Sequence, residues 1–185
     1  MTMNIFERLC SARELKGRIA DRRSRLYKVA YAWCGERHLA DDLVQETLTR
    51  ALSKSHQLND PSRLDSWLYS ILNNCWKEYL RGRCPCSELD EEVLECTHCP
   101  ERASLADELA QRVTDLMDRL PVGQRQVMGL VALEELSYRE GADALDIPIG
   151  TVMSRLSRAR QFLAERLSSA SRPVEAPRVY LRRVK

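Results

Sequence analysis

The chain has 185 residues, room for one or two domains. Its 29 Lys and Arg nearly balance 27 Asp and Glu, a formal charge of +2, so any nucleic-acid surface has to be local and cannot be argued from the charge of the whole chain. No apolar run reaches membrane length, which excludes direct membrane insertion, and the polar start at Met1–Ser11 does not read as a signal peptide. Seven cysteines, an odd count without a secretion signal, point to reduced thiols and a cytoplasmic chain, not to a disulfide framework. With seven glycines and almost no β-branched alternation, the expected fold class is all-α.

Residues 1–22 read as an N-terminal extension, with a short helix through Ile5, Leu9 and Leu15. Leu26, Val29, Ala30 and Trp33 form a helical stripe that ends near Gly35. The next helix is expected over 40–54, with Leu43, Val44, Thr47, Leu48 and Ala51 inward and Asp42, Gln45, Glu46 and Arg50 outward. Asp41 and Asp42 would fall in its first turn, where carboxylates suit the helix dipole; on spacing alone they read as capping residues. A polar loop over 55–64 follows, with Pro61 barring mid-helix or strand.

A long helix is expected over 65–83, with Trp67, Leu68, Ile71, Leu72, Cys75, Tyr79 and Leu80 on or near its apolar face. Asn73, Asn74, Lys77 and Arg81 point elsewhere, flanked by Tyr69 and Trp76. Aromatics beside amides and cations make the kind of surface that holds unstacked bases. The competing reading puts the aromatics in the core and the cations in solvent.

Residues 84–102 break the helical pattern and read as a linker: Cys84-Pro85-Cys86, an acidic middle, then Cys96-Thr97-His98-Cys99-Pro100. Cys96-x-x-Cys99 has ordinary zinc spacing, while Cys84-x-Cys86 is tighter than usual. A structural or regulatory zinc on Cys84, Cys86, Cys96 and Cys99 is therefore set against four unpaired thiols; no other cofactor is expected.

The second module spans 103–168. It opens with a stripe of Leu105, Leu109, Val113, Leu116 and Leu120, and Pro121 starts a helix whose inner face is Val127, Leu130 and Val131. Ser137–Arg160 then reads as two short helices around a tight break. Ser137 and Glu140 have the form of a capping box. Asp146-Ile147-Pro148 ends the first helix, because a residue before proline is pushed out of the helical region. In the second, Val152, Leu156, Ala159 and Leu163 share one face, and Thr151, Ser154, Arg155 and Arg158 the opposite one. Short hydroxyls and guanidinium groups on one face suit a DNA major groove; an ordinary helical hairpin with a solvated basic face is the alternative. Residues 169–185 form a basic, proline-containing tail expected to be disordered.

Three stretches, in this order and spacing, resemble a bacterial extracytoplasmic-function sigma factor of the sigma-70 family. Ala40-Asp-Asp-Leu-Val-Gln-Glu-Thr-Leu-Thr-Arg-Ala-Leu52 is similar to the family's polymerase-clamp helix. Ser66-Trp-Leu-Tyr-Ser-Ile-Leu-Asn-Asn-Cys-Trp-Lys-Glu-Tyr-Leu-Arg81 is similar to its −10 recognition helix. Leu136-Ser-Tyr-Arg-Glu through Ile147-Pro-Ile-Gly-Thr-Val-Met-Ser-Arg-Leu-Ser-Arg-Ala-Arg160 is similar to its −35 helix-turn-helix. The resemblance implies region 2 over 23–83 and region 4 over 103–168, joined by a flexible linker. It implies contacts from Asp41, Asp42, Gln45, Glu46 and Arg50 to the β′ clamp helices of core RNA polymerase, with region 4 meeting the β flap. It also implies −10 contacts from Asn59, Asp60, Ser62, Arg63, Trp67, Asn74, Lys77 and Arg81, with a flipped base received by the 55–66 loop, and −35 contacts from Arg139, Thr151, Ser154, Arg155 and Arg158. The implied function is promoter recognition, with promoter DNA and an anti-sigma factor as partners, in response to an envelope, metal or redox signal. The alternative is a stand-alone helix-turn-helix regulator with an N-terminal sensing domain. An enzyme is not expected: there is no glycine-rich phosphate loop, and His38, His56 and His98 are scattered. Three positions depart from the family pattern: Met153 stands where Lys or Arg is common, Gly141 where an apolar residue is usual, and Asp146 where the turn usually has Gly.

Overall fold

A computed structural model describes residues 14–58, 60–83 and 108–170, with side chains of the last segment described from 112 to 168. Asn59 and the four linker cysteines, Cys84, Cys86, Cys96 and Cys99, lie outside the described residues, as does the tail beyond 170. No strand occurs among the described residues.

The first module is built from α1 (14–21), α2 (Arg23–Cys34), α3 (Arg37–Ser53) and α4 (Leu64–Arg83), with two 3-10 turns at Ser55–Gln57 and Pro61–Arg63 between the last two. Ile19 of α1, inside the stretch read as an extension, is fully buried. The α2 stripe of Leu26, Val29, Ala30 and Trp33 is buried as its spacing predicts. Gly35 ends the helix at φ 70°, a left-handed position that costs glycine little, and its N–H donates to the Tyr31 carbonyl. Helix α3 begins at Arg37, three residues before the expected start, with Glu36 as N-cap. Asp41 and Asp42 therefore stand past the first turn and are exposed, which removes the capping role that spacing suggested.

The second module contains α5 (Glu108–Asp118), α6 (Val122–Met128), a π-helical turn (Gly129–Leu133), α7 (Tyr138–Leu145) and α8 (Ile149–Ala170). The capping box forms in both directions: Glu140 N–H donates to Ser137 Oγ, and Ser137 N–H donates to Glu140 at 2.9 Å. These hydrogen bonds from Ser137 hold the Glu140 carboxyl below its ordinary range. Helix α7 stops at Leu145, and Asp146 takes the left-handed conformation at φ 56°, a position an aspartate tolerates better than most side chains.

The two modules share one core. The buried cluster runs from Ile19 through Trp33, Leu72 and Trp76 to Leu130, Leu145 and Leu156. Helix α4 packs on α3 along one flank and on α7 along another, while α2 meets α6 and the π turn. This explains the aromatic residues of α4. Tyr69 and Trp76, set beside the amides as a possible base-stacking surface, are 2% and 1% exposed and belong to the core. A helix covered on two flanks needs apolar groups on both, so its single-stripe reading underestimates what is inside.

The seam between modules is partly polar, and most of its polar groups are paired, as buried groups usually are. Gln126 Nε2 donates to Asn73 Oδ1 at 2.9 Å, and Asn73 Nδ2 donates to the Leu145 carbonyl at 3.2 Å. The Arg125 guanidinium, 1% exposed, donates to the carbonyls of Trp33 in the first module and of Asp118 and Leu120 in the second. Glu134 accepts from Tyr69 Oη at 2.7 Å and from Arg25, which also pairs with Asp65 beside Arg22. Burial, reinforced by the bond to Glu134, pushes the Tyr69 hydroxyl far above its ordinary pKa, so it stays a neutral donor. The Trp33 ring lies against Gly129, where an added Cβ would stand 2.8 Å from Nε1. That indole N–H has no acceptor among the described residues; a buried unpaired donor costs about 1–3 kcal/mol.

Candidate nucleic-acid interface

Three groups of residues reach the surface. The first is on α3. Its buried face (Leu43, Val44, Thr47, Ala51) turns Asp41, Asp42, Gln45 and Glu46 outward, all exposed. Arg50 is less available than expected. Its Nε donates to Glu46 one turn earlier, and its two terminal nitrogens donate to Glu78 of α4. The net face is acidic and amide-bearing, with Arg50 fixing the position of Glu46 within it.

The second group surrounds an open cleft of about 530 Å³ between the 57–70 stretch and α7. Asp60, Arg63 and Trp67 line it, together with Leu58, Ser66 and, from the second module, Asp143. Pro61 starts the tight turn here, and Asp60 caps it by accepting from the backbone N–H and hydroxyl of Ser62. These bonds hold the Asp60 carboxyl below its ordinary range, so the cleft keeps a negative charge beside Arg63. Trp67 is half-buried, its ring supported by the core and available at the cleft wall. The cleft can hold a flat ring against Trp67 with polar groups at its rim.

The −10 candidates further along α4 are not in the cleft. Asn74 is exposed one turn beyond Ser70 on α4. Arg81 is exposed further along, and Lys77 is half-buried with Nζ 3.5 Å from the Leu145 carbonyl. Asn73, next to Asn74 in the chain, is turned into the seam and buried. Periodicity alone did not separate these two adjacent amides.

The third group is on α7 and α8. Val152, Leu156 and Ala159 are buried, which turns Ser154 and Arg158 outward; Thr151 is half-exposed and Arg139 of α7 exposed. Arg155 departs from the expected pattern. Its guanidinium lies over Gly123 of α6, where an added Cβ would come within 2.7 Å, so its side chain is shared between packing and surface. Met153 is 53% exposed among these polar groups and Ile149, one turn earlier, 48%.

A surface with an acidic helix, a ring-sized cleft and a helix-turn-helix in one chain has close counterparts. The family model for sigma-70 region 2 matches residues 19–83, and that for sigma-70 region 4 matches 110–163. The ECF RNA polymerase sigma-E factor of Haemophilus influenzae is 34% identical over 138 residues, covering 68% of this chain and 73% of that protein. The chain belongs to the ECF sigma factors of the sigma-70 family. Another relative, the ECF RNA polymerase sigma factor SigW of Bacillus subtilis, is 29% identical over 157 residues, covering 78% of this chain and 84% of that protein. Among solved structures, the sigma factor RpoE of Bartonella quintana, in complex with the anti-sigma factor NepR, superposes with a TM-score of 0.71 at 28% identity, over 86% of this chain and 99% of that one.

As a sigma factor, the chain is a DNA-binding transcription initiation factor. No helix among the described residues is long and apolar enough to cross a membrane. Tyr69, Asn73, Gln126, Arg125 and Glu134, which join region 2 to region 4, were not singled out for that role by the sequence; their partners across the seam lie 53 to 109 positions away, and no local pattern encodes such pairs.

Proposed function

We propose that this sigma factor binds core RNA polymerase through the α3 face of Asp41, Asp42, Gln45 and Glu46, with Arg50 as a positioning residue, and directs it to promoters with a −10 and a −35 element. The carrying observation is the cleft at Trp67, a ring-sized site on region 2 with rim polar groups from Asp60 and Arg63. A base flipped from the −10 strand stacks there, repaying the few kcal/mol that unstacking costs. Asn74 and Arg81 continue the −10 track along α4. Arg139, Thr151, Ser154, Arg155 and Arg158 meet the −35 element, and region 4 also meets the β flap.

The chain has no chemistry of its own in this reading and works in the cytoplasm. An anti-sigma factor holds it inactive until a stress signal arrives; the Bartonella relative carrying such a partner supports this. Zinc on Cys84, Cys86, Cys96 and Cys99 remains part of the proposal on spacing alone, set against unpaired thiols. Metal analysis of reduced protein separates the two.

Run-off transcription with core polymerase on a fragmented genomic library tests the proposal. The expected result is a discrete set of starts dependent on this chain and lost with Trp67→Ala. Failure to co-purify with core polymerase, together with a dimeric protein that binds palindromic duplex by itself, would establish the stand-alone regulator instead.

A further inference from the structure

We infer that Met153, with Ile149 one turn before it, reads the C5-methyl group of a thymine in the −35 element. This deepens, and rests on, the reading of α8 as the −35 helix.

Three observations carry it. The first is exposure. Met153 is 53% exposed and Ile149 48%, and they stand one turn apart on the same flank of α8, at its N-terminal end. In a helix-turn-helix, the N-terminal residues of the second helix are the ones that meet base edges. The core does not need the pair, because Val152, Leu156 and Ala159 already form the buried face of the helix there.

The second is what lies beside the pair. Thr151 and Arg155 occupy the other flank, where the Arg155 guanidinium lies against Gly123 of α6. Between the flanks run Gly150, Ser154 and Ser157, all exposed. Nothing lies within 4 Å of the place that a Cβ on Gly150 would take. A crest of short side chains lets the backbone come close to the floor of a groove, and Met153 is long enough to reach a base edge from there. Its unbranched thioether adapts to the surface it meets.

The third is charge. Residues 149–160 carry Arg155, Arg158 and Arg160 and no carboxylate. Such a surface matches a polyanion. A protein docked on the apolar pair is the competing occupant, and the cations and short hydroxyls around the pair favour DNA over it.

Of the four bases, only thymine offers a methyl group in the major groove. The others present donors and acceptors there, which a thioether would leave unpaired on displacing their water. Met153 therefore selects thymine both by contact with the methyl and by rejecting polar edges. A lysine or arginine at the same place would select guanine or a phosphate instead.

Deoxyuridine, which is thymidine without the methyl, supplies the test. Holoenzyme made from the full chain and core polymerase selects fragments from a randomised duplex pool, and the −35 block is the one whose enrichment Arg158→Ala alters. Wild type is expected to enrich a thymine in that block. Replacing that thymine by deoxyuridine should weaken wild-type binding about 4-fold, the worth of burying one methyl group. Met153→Ala should bind the two fragments equally, and Met153→Leu, still apolar, should keep most of the difference. Ile149→Ala should reduce the difference without abolishing it. The deoxyuridine comparison on wild type needs no variant, so it holds even where a substitution lowers stability. A −35 block without thymine, or one indifferent to deoxyuridine at every thymine, overturns the role of Met153 and leaves the −35 reading intact. A deoxyuridine effect undiminished in Met153→Ala gives the methyl to another residue and overturns it as well. Weaker assembly of Met153→Ala with core polymerase in the absence of DNA would put a protein on the pair instead. Enrichment unmoved by Arg158→Ala, or no enrichment at all, overturns the −35 reading itself.

Discussion

Arg50 ties α3 to α4 by a two-pronged pair with Glu78, Nη1 to Oε1 at 2.9 Å and Nη2 to Oε2 at 2.7 Å, while its Nε holds Glu46. The hydrogen bond from Arg50 keeps the Glu78 carboxyl below its ordinary 4.5. A depressed carboxylate stabilises the fold at pH values above its unfolded pKa, and that contribution disappears as pH falls through the folded value. Both partners are partly exposed, so solvent screening limits the pair to about 1 kcal/mol or less. Arg50→Ala should therefore lower stability slightly at pH 7 and have little effect at about pH 2, where carboxylates are protonated in both states. Urea unfolding of both proteins at the two pH values checks this; a deficit that persists in acid would mean that Arg50 acts through packing.

Two glycines should respond differently. At Gly141, in the middle of α7, an added Cβ meets Val131 Cγ2 at an ordinary 3.7 Å. Gly141→Ala should raise stability by roughly 0.5–1 kcal/mol, through helix propensity and a less flexible unfolded chain. At Gly123 the new Cβ meets the Arg155 guanidinium at 2.7 Å, and a flexible side chain can swing away. Gly123→Ala should leave the melting temperature nearly unchanged and alter −35 affinity. Thermal denaturation beside promoter binding by holoenzyme separates the two effects.

Trp67→Ala removes the ring from the cleft. Stacking on an aromatic side chain is worth about 1–3 kcal/mol per base, so open-complex formation should fall by about one to two orders of magnitude, with duplex binding at −35 unaffected. Permanganate reactivity of the −10 thymines reads the opening. Asn74→Ala, outside the cleft, should instead change preference at one −10 position.

Met153→Lys places a cation at an exposed position of α8 between Thr151 and Arg158. If it reaches a phosphate, the log–log salt dependence of holoenzyme binding should steepen by roughly 0.9. Arg158→Ala should either flatten the slope by about that amount or, if the contact is to a base, cost about 1–3 kcal/mol and relax one −35 position. Competition titrations at several salt concentrations tell these apart.

Local rules located most of this fold. The α2 stripe, the stop at Gly35, the Ser137 capping box and the inner face of α8 follow from spacing and cap chemistry within one or two turns of chain. The tight turn at Asp60–Arg63 is equally local, but its residues were singled out by the family resemblance and not by the turn. What escaped is long-range. Asn73 and Asn74 are indistinguishable by periodicity, yet one is sealed in the seam and the other faces solvent, because α7 arrives from more than 60 positions away. Tyr69 and Trp76 looked available for the same reason. Asp143 could not be assigned to the cleft until the second module was seen to close it.

The polar seam also bears on how such chains recombine. Asn73, Gln126, Arg125 and Glu134 answer one another across the two regions, so a region 2 grafted onto a foreign region 4 inherits half of each pair. Such a hybrid either stays apart or buries amides and charges without partners, at about 1–3 kcal/mol for each neutral group and more for a charge. The two regions can be exchanged as reading heads only if this set of side chains travels with them, which makes the seam a unit of inheritance as much as a unit of structure.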